Sequence, residues 1–375
     1  MIPRTLLTVI KNNLYKGKVI LLLGPRQVGK TTLVSKLQSQ INKNALNLNG
    51  DDADTRELFK DSNATTLKAL IGNKELIIID EAQRIENIGV TLKILVDNFP
   101  DQQVIATGSS SFELRDKVNE PLTGRKYEYK LFPLSFNELC QYSSLIEETR
   151  QLEHRLIYGY YPEVTTKPDE ARDLLALLTD SYLYKDILGY KKIKKPEKIE
   201  KLLQALALQL GSEVSYNEIG QMVGADNETV ENYINILEKA FVIFRLKTLC
   251  RNKRNEIKKS RKIYFYDNGI RNAIINNFNP ISLRQDIGGL WENFLINERL
   301  KRNNYNKIYN NYYFWRTHSK TEIDFIEERD GKFFAFEFKW NTKHKKIRAF
   351  NTFSTSYPNT TFEIITPENF HNFIM

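Results

Sequence analysis

The first 150 residues predict an α/β fold built on a parallel β-sheet. Short apolar runs end in glycine or acidic residues and alternate with helical patterns, as expected for strands that are buried on both faces. Five such runs are the expected strands: residues 19–23, 45–49, 76–80, 104–107 and 127–131. A glycine-rich segment follows the first strand directly, and two acids stand at the end of the third.

The composition narrows the class of protein. The 375 residues leave room for two or three domains. No apolar run reaches the roughly 18 to 20 residues that a membrane span needs, and the first residues lack the pattern of a secretion signal. Cys140 and Cys250 lie far apart without metal-ligand spacing, which favours free thiols in the cytoplasm. The net charge of +9 favours a polyanionic partner, although a lysine-rich proteome explains it equally well.

A phosphate-binding loop is the strongest signal in the sequence. Residues 24–31 match G-x-x-x-x-G-K-[ST] between an apolar strand and a helix, the context that this motif requires. Backbone N–H groups would surround the phosphates of ATP, Lys30 would reach the β- and γ-phosphates, and the Thr31 hydroxyl would bind Mg²⁺. The expected nucleotide contacts are Gly24, Pro25, Arg26, Gln27, Val28, Gly29, Lys30, Thr31 and Thr32.

Asp80 and Glu81 end the third strand, in the run LIIIDEAQ. A buried strand that delivers an acid at its carboxyl end fits a Walker B element, in which Asp80 helps to hold Mg²⁺. Glu81 is then placed to polarise the attacking water. The structural alternative is that both acids are helix N-caps.

Two further elements are candidates for the catalytic machinery. The fourth strand ends in hydroxyl residues, so Thr107, Ser109 or Ser110 would sense the γ-phosphate; serines are also common in turns. Arg125 is a candidate arginine finger supplied to a neighbouring subunit, although an exposed arginine is often only solvated.

Residues 201–262 predict a winged helix-turn-helix. One helix precedes a glycine turn, a second helix follows it, and two strands come next. The second helix presents Glu228, Glu231 and Asn235, a face that is not basic. The positive charge lies in residues 251–262, which hold seven basic residues and one acid. Such a segment would bind DNA phosphates in a salt-dependent way, whereas winged helices also dock proteins.

The last hundred residues contain the pattern D…E-x-K. Asp324 lies in TEIDFI, Glu337 and Lys339 lie in FFAFEFKW, and the ERDG between these runs is a hairpin signal. In a nuclease, Asp324 and Glu337 would share Mg²⁺, Lys339 would orient the attacking water, and Glu292 would add a helical acid. The alternative is a surface hairpin whose charges are solvated or paired.

Several segments together resemble a known family. They are GPRQVGKTTL, IIIDEAQRI, ATGSSS, LTGRKYEYKLFPLSFNEL, YFYDNGIRNAI, GGLWENFLINERL, EIDFI and FAFEFKW. The chain is similar in these segments to prokaryotic AAA+-like P-loop ATPases with a winged helix and a PD-(D/E)xK endonuclease-like domain of unknown function. The resemblance implies the strand order 5-1-4-3-2 and three domains. These are an ATPase domain over 1–150, a helical connector with a winged helix over 151–275, and an endonuclease-like domain over 276–375.

The leading functional hypothesis is an ATP-hydrolysing switch that acts on nucleic acid through its winged helix and C-terminal domain. One alternative is a Mg²⁺-dependent DNA nuclease that is gated by ATP. Another is an interaction or signalling ATPase, in which the winged helix binds a protein and the C-terminal half is not catalytic. All three share the phosphate-binding loop, so only the C-terminal half distinguishes them.

Overall fold

The chain folds into two compact units in the computed structural model. The first holds Met1–Leu134 with Lys239–Phe241, and the second holds Ser135–Glu238 with Val242–Met375. The structure describes residues 1–60, 62–109, 114, 117–183, 195–250, 261–317, 321–341 and 348–375. No helix within these ranges has both the length and the apolar character needed to cross a membrane.

The first unit is built on a five-stranded parallel sheet. Its strands are β1 (Val19–Leu23), β2 (Ala45–Asn49), β3 (Leu76–Asp80), β4 (Gln103–Gly108) and β5 (Lys126–Lys130). They lie in the order β2-β3-β4-β1-β5, and every neighbouring pair is parallel. The expected parallel sheet and its order 5-1-4-3-2 are therefore confirmed.

One helix, α1 (Thr5–Lys11), precedes β1. The helices between strands are α2 (Lys30–Ile41), α3 (Ala53–Phe59), α4 (Ala64–Ile71) and α5 (Ile88–Asn98). Strands β1 and β4 are buried at every position, and β3 is buried up to Asp80. This explains why they are continuous apolar runs instead of alternating ones. Because the strands are parallel, the segments that follow β1, β3 and β4 meet at one edge of the sheet.

The second unit begins with helices and contains a mixed sheet. Its helices are α6 (Phe136–Tyr142), α7 (Leu145–Arg150), α8 (Leu152–Tyr158), α9 (Pro162–Thr166), α10 (Ala171–Leu177), α11 (Pro196–Leu208), α12 (Tyr216–Val223), α13 (Asn227–Lys239), α14 (Asn268–Ile274), α15 (Ile287–Tyr305), α16 (Arg348–Ser356) and α17 (Phe370–Ile374). Its strands are β6 (Glu213–Val214), β7 (Ile243–Thr248), β8 (Arg261–Phe265), β9 (Asn311–Arg316), β10 (Glu322–Arg329), β11 (Lys332–Phe338) and β12 (Thr360–Ile365).

These seven strands form one sheet in the order β12-β11-β10-β9-β7-β8-β6. Strands β7 and β8 are antiparallel, β6 pairs with β8, and β7 pairs in parallel with β9. Strands before and after residue 275, the expected domain boundary, thus share a single sheet. The three-domain division stays a prediction.

Helix α14 joins several parts of the second unit through buried polar side chains. Asp267 caps its first turn by accepting from the Ile270 N–H at 3.1 Å, and also accepts from the Tyr160 N–H at 2.7 Å. Asn272 donates to the Ile157 carbonyl at 2.7 Å. Arg271 donates to the Ala207 carbonyl at 2.8 Å and forms an ion pair with Asp286. These contacts fix α14 against α8 and the end of α11.

Arg271→Met should destabilise the second unit. The Arg271 side chain is 2% exposed, so its loss leaves the Ala207 carbonyl without this donor and weakens the charge balance at Asp286. We expect a loss of roughly 2–4 kcal/mol in the free energy of unfolding, measured by denaturant titration. Arg150→Met, at an exposed position on α7, is the control. Equal stability of the two variants would contradict this role of Arg271.

Candidate functional site

The phosphate-binding loop lies between β1 and α2, where the sequence predicts it. A Cβ atom on Gly24 would lie 2.2 Å from the Leu131 carbonyl oxygen, so only glycine fits there. Gly29 has φ +91°, in the left-handed region that glycine adopts without strain. Pro25 and Val28 are buried, Arg26 is half-buried, and Gln27, Thr31 and Thr32 are exposed.

Lys30 is buried inside this loop. Its ammonium group donates to the carbonyls of Gly24 and Pro25, both at 2.9 Å. The loop therefore holds a positive charge at the N-terminus of α2, where backbone N–H groups also favour an anion. Both properties suit a bound phosphate.

Arg4 stabilises the loop through hydrogen bonds to backbone carbonyls, a role that the sequence did not predict. Its guanidinium donates to the carbonyls of Val28 at 2.9 Å and Phe132 at 2.5 Å. It thereby ties the loop to the segment that follows β5. The residue is 8% exposed. The sequence signal was slight, since an arginine before the first helix has many ordinary explanations.

Asp80 meets Thr31 at the edge of the sheet. The Thr31 hydroxyl donates to Asp80 Oδ2 at 2.7 Å. The other oxygen, Oδ1, accepts from the Thr107 hydroxyl and from the Glu81 N–H. The structure thus brings the two expected metal ligands into direct contact. A hydroxyl and a carboxylate are the hard oxygen donors that Mg²⁺ prefers, so these residues fit the ion.

Glu81 is held by two side chains of the same unit. Gln83 and Ser109 both donate to Glu81 Oε2, with Ser109 at 3.2 Å, and Gln83 also donates to Ser109 at 3.1 Å. Glu81 Oε1 accepts no hydrogen bond within the described part of the chain. Glu81 precedes a short 3₁₀ turn without capping it through its side chain. Gln83 was missed from the sequence, although it lies in the same DEAQ run.

The candidate γ-phosphate sensors at the end of β4 contact different acids. Thr107 contacts Asp80, whereas Ser109 contacts Glu81. Ser110 lies outside the described residues. The γ-phosphate-sensing role of Ser109 stays a prediction, but its hydroxyl stands beside the acid that the sequence assigns to catalysis.

Arg125 lies away from this site. It precedes β5 and its carbonyl accepts from the N–H of Val19, the first residue of β1. It is therefore at the opposite edge of the sheet from the loop that follows Leu23. Its side chain pairs with Asp97 at 2.6 Å and is 41% exposed. Arg125 does not reach the Lys30 site of its own unit, so a catalytic role would require a neighbouring subunit.

The second unit brings Asp324, Glu337 and Lys339 together. Strands β10 and β11 form the predicted hairpin through Asp330 and Gly331, which both have positive φ. A β-bulge between Ile323 and Ile326 interrupts the pairing with β9 at Asp324. Bulges often re-aim a side chain in this way. Asp324 Oδ2 accepts from the Phe338 N–H at 2.8 Å, and Lys339 pairs with Glu337 Oε1 at 2.7 Å.

Glu292 points from α15 into the same cluster, but its carboxylate already has an ion pair and a hydrogen bond. Lys262 of β8 lies 2.9 Å from Glu292 Oε1, and the Tyr264 hydroxyl donates to the same atom. Lys262 also pairs with Glu322. The sequence did not predict that Lys262, Tyr264 and Glu322 belong to this cluster. The alternation of Lys262 and Tyr264 on one strand was the available signal, since alternate residues share a face.

Burial raises the pKa of two acids in this cluster. The pKa of Glu292 rises to about 7 through burial, opposed by Lys262 and reinforced by Asp324. The pKa of Glu337 also rises to about 7, through burial and then through Asp324. For Lys339, burial lowers the pKa, but Asp324 and Glu337 outweigh it and the net shift is upward. Perturbed acids in one cluster are typical of functional sites, and of structural ion-pair networks too.

The predicted winged-helix surface is partly engaged in contacts within the unit and partly outside the described residues, although Glu228 and Glu231 are exposed. Glu231 of α13 lies 3.6 Å from Arg261 and 3.9 Å from Arg245, and Asn235 accepts from Arg245 at 2.6 Å. The basic residues of 251–260 lie outside the described residues. DNA contact by this module stays a prediction.

Comparisons with known families agree with the architecture of the first unit. Residues 16–140 match a family described as "AAA domain". Residues 149–280 and 287–370 match two separate families, each described as a domain of unknown function. Residues 16–140 are thus similar to AAA domains, in agreement with the phosphate-binding loop and the parallel sheet of the first unit.

Relatives and solved structures extend this similarity. An uncharacterized protein of Mycobacterium tuberculosis is 27% identical over 88% of this chain and 72% of its own length. One from Methanocaldococcus jannaschii is 24% identical, over 91% and 80%. The Walker-type ATPase of Pyrococcus abyssi has a TM-score of 0.51 at 15% identity, covering 73% of this chain and 96% of its own. The last similarity is one of fold.

Gln83→Ala should slow nucleotide turnover without weakening nucleotide binding. Gln83 is 3% exposed and donates to the Glu81 carboxylate. Without this hydrogen bond, the carboxylate can adopt other orientations. We expect turnover to fall about 10- to 100-fold, since correct placement of a general base is worth about 10²–10⁴. The measurement is steady-state phosphate release beside the dissociation constant of a fluorescent ATP analogue.

Gln40→Ala, at an exposed position on α2, controls for the loss of an amide. If Gln83→Ala turns over ATP at the wild-type rate, Gln83 does not position Glu81. If it binds nucleotide more weakly, its role lies in folding the pocket.

Proposed function

We propose that this chain is an ATP-binding and ATP-hydrolysing switch protein that acts on nucleic acid. The observation that carries the ATPase proposal is the contact between Thr31 and Asp80, 2.7 Å apart. It places the helix that follows the phosphate-binding loop directly against the strand that carries the acids. Lys30 and Glu81 adjoin these two residues in the chain. The AAA-domain match over residues 16–140 supports the same chemistry.

Each residue of the site has a distinct task in this proposal. The loop N–H groups and Lys30 bind the phosphates, exchanging the Gly24 and Pro25 carbonyls for phosphate oxygens. Thr31 and Asp80 would hold Mg²⁺, which when bound neutralises phosphate charge. Glu81 accepts a proton from the attacking water or orients it through Oε1, the oxygen that Gln83 and Ser109 leave accessible. Ser109 links that carboxylate to the end of β4, where a γ-phosphate would be sensed.

Nucleic acid is the partner that charge and topology support best. The chain carries a net charge of +9, and residues 251–260 hold five basic residues. The order α11, β6, α12, α13, β7, β8, with the strands paired as β6-β8-β7, supports the winged-helix interpretation. The acidic face of α13 is engaged by Arg245 and Arg261. The basic segment between β7 and β8 is therefore the candidate contact with phosphates, and a protein-docking role is the competing proposal.

A Mg²⁺-dependent nuclease is the second candidate. It is supported by the convergence of Asp324, Glu337 and Lys339 and by one buried atom. Glu337 Oε2 has no hydrogen-bond partner among the described residues. An unpaired buried carboxylate oxygen is costly, which favours a cation there. Against it, no group of three or more acids, histidines or cysteines in the described ranges is arranged to hold a metal.

Lys30→Ala and Glu81→Gln should separate binding from hydrolysis. Lys30→Ala removes the charge that reaches the phosphates, so we expect both nucleotide affinity and turnover to be lost. Glu81→Gln keeps the loop, so we expect affinity to remain while turnover falls at least about 100-fold. Equilibrium binding of labelled ATP and phosphate release measure the two effects.

Lys36→Ala, an exposed lysine on the same helix α2, should leave both quantities unchanged. Full turnover by Glu81→Gln would show that another group acts on the water. Wild-type ATP binding by Lys30→Ala would contradict the proposed site.

Double-stranded DNA should stimulate ATP hydrolysis, and the stimulation should decline with salt. A basic segment that contacts several phosphates releases counterions, so affinity should fall by about 500-fold between 50 and 200 mM salt if five basic residues each contact a phosphate. Turnover against DNA concentration at several salt concentrations measures this. If DNA neither binds nor changes turnover at low salt, the switch does not act on DNA.

Plasmid nicking tests the nuclease candidate in the same reactions. Cleavage by wild-type protein with Mg²⁺ that is absent in Asp324→Asn would establish it. The variant should retain nucleotide binding, since Asp324 lies in the other unit. Intact plasmid with the wild-type protein would remove this candidate and leave the ATPase proposal unaffected.

A further inference from the structure

The ammonium group of Lys262 lies among carboxylates and has almost no contact with solvent. The side chain is 2% exposed, with Nζ 2.9 Å from Glu292 Oε1 and paired with Glu322. The Tyr264 hydroxyl donates to the same Glu292 oxygen. Two acids of this cluster therefore already have a cation between them, which is supplied by strand β8.

The other two acids are less completely neutralised. Glu337 Oε1 meets Lys339 at 2.7 Å, but Glu337 Oε2 is buried and has no hydrogen-bond partner in the described part of the chain. The residue is 5% exposed. Asp324 accepts from the Phe338 N–H. A buried carboxylate oxygen without a donor is a high-energy arrangement that a bound cation would relieve.

The charges in the cluster do not cancel. Four carboxylates, those of Glu292, Glu322, Asp324 and Glu337, face the ammonium groups of Lys262 and Lys339. Arg316 lies 3.6 Å from Glu322 but is also paired with Glu213 at 3.2 Å, so it adds little net charge. When all four carboxylates are ionised, two negative charges remain in excess, which one divalent cation would balance; the raised pKa of Glu292 and of Glu337 reflects burial and the cost of that excess without an ion.

We propose that Lys262 is an internal competitor of a divalent cation in this cluster. Its ammonium group keeps Glu292 and Glu322 out of the ligand set, so a metal has only Asp324 and Glu337 as charged ligands. Affinity for hard divalent ions depends on the number of charged oxygen ligands. The wild-type centre consequently binds such ions weakly, and Lys262 sets that affinity. This also explains why Glu292 does not join Asp324 and Glu337 in a ready-made metal site.

The test is a Mn²⁺ titration by isothermal calorimetry on full-length protein. Every chain carries Asp80→Asn, so that the nucleotide site does not contribute. Lys262→Met removes the charge and keeps an apolar stem of similar length. We expect the Mn²⁺ dissociation constant to fall by at least about ten-fold, because two carboxylates become available. Adding Asp324→Asn to Lys262→Met should abolish that gain.

Lys301→Met is the matched control. Lys301 is also a buried lysine of the second unit, 3% exposed, but it pairs with Glu298 and interacts with Asp267, away from the Asp324 cluster. It should therefore gain no Mn²⁺ affinity. A gain of equal size in Lys301→Met would show that any unpaired buried acid binds the ion, and would overturn the proposal.

Thermal melting keeps the proposal testable if Lys262→Met is unstable. Mn²⁺ should raise the Tm of Lys262→Met, and of Lys262→Gln, far more than that of the parent, because an ion that binds the folded state stabilises it. If Mn²⁺ neither binds these variants more tightly nor restores their stability, Lys262 does not compete with a metal.

Discussion

The hydrogen bond between Thr31 and Asp80 depends on the order of the central sheet. Strands β1 and β3 are separated only by β4, and all three run in the same direction. Their carboxyl ends therefore lie at one edge, where Thr31 begins α2 and Asp80 ends β3. An additional strand, β2, pairs with the outer side of β3 and leaves this edge intact. A different order of β1, β4 and β3 would change the distance between the phosphate-binding loop and the acids.

The residues around this contact limit how the site can move. Thr107 and the Glu81 N–H hold one oxygen of Asp80, while Gln83 and Ser109 hold one oxygen of Glu81. Each of the two acids is thereby fixed through one oxygen, and Asp80 Oδ2 is left to contact Thr31. Fixed acceptors of this kind need little reorganisation when a charged ligand binds. Such preorganisation lowers the activation free energy of a reaction.

The sequence allowed much of the first unit to be predicted, because its signals are local. A motif of eight residues between a strand and a helix places Lys30 and Thr31, and an apolar run places Asp80. Contacts over long separations were not predictable. Arg4 reaches Phe132, 128 residues away, and Lys262 reaches Glu292 across 30 residues. Nor does the run TEIDFI show the bulge that accompanies Asp324. A buried lysine also departs from the usual rule that lysines are exposed, so the sequence alone groups Lys262 with the basic residues of 251–262.

A crystal structure with Mn²⁺ and a non-hydrolysable ATP analogue tests the central claim most directly, since anomalous scattering locates the ion. The account predicts a manganese peak in contact with the Thr31 hydroxyl and near Asp80, with the terminal phosphates beside Lys30. A peak elsewhere, or a nucleotide bound away from residues 24–31, would contradict it.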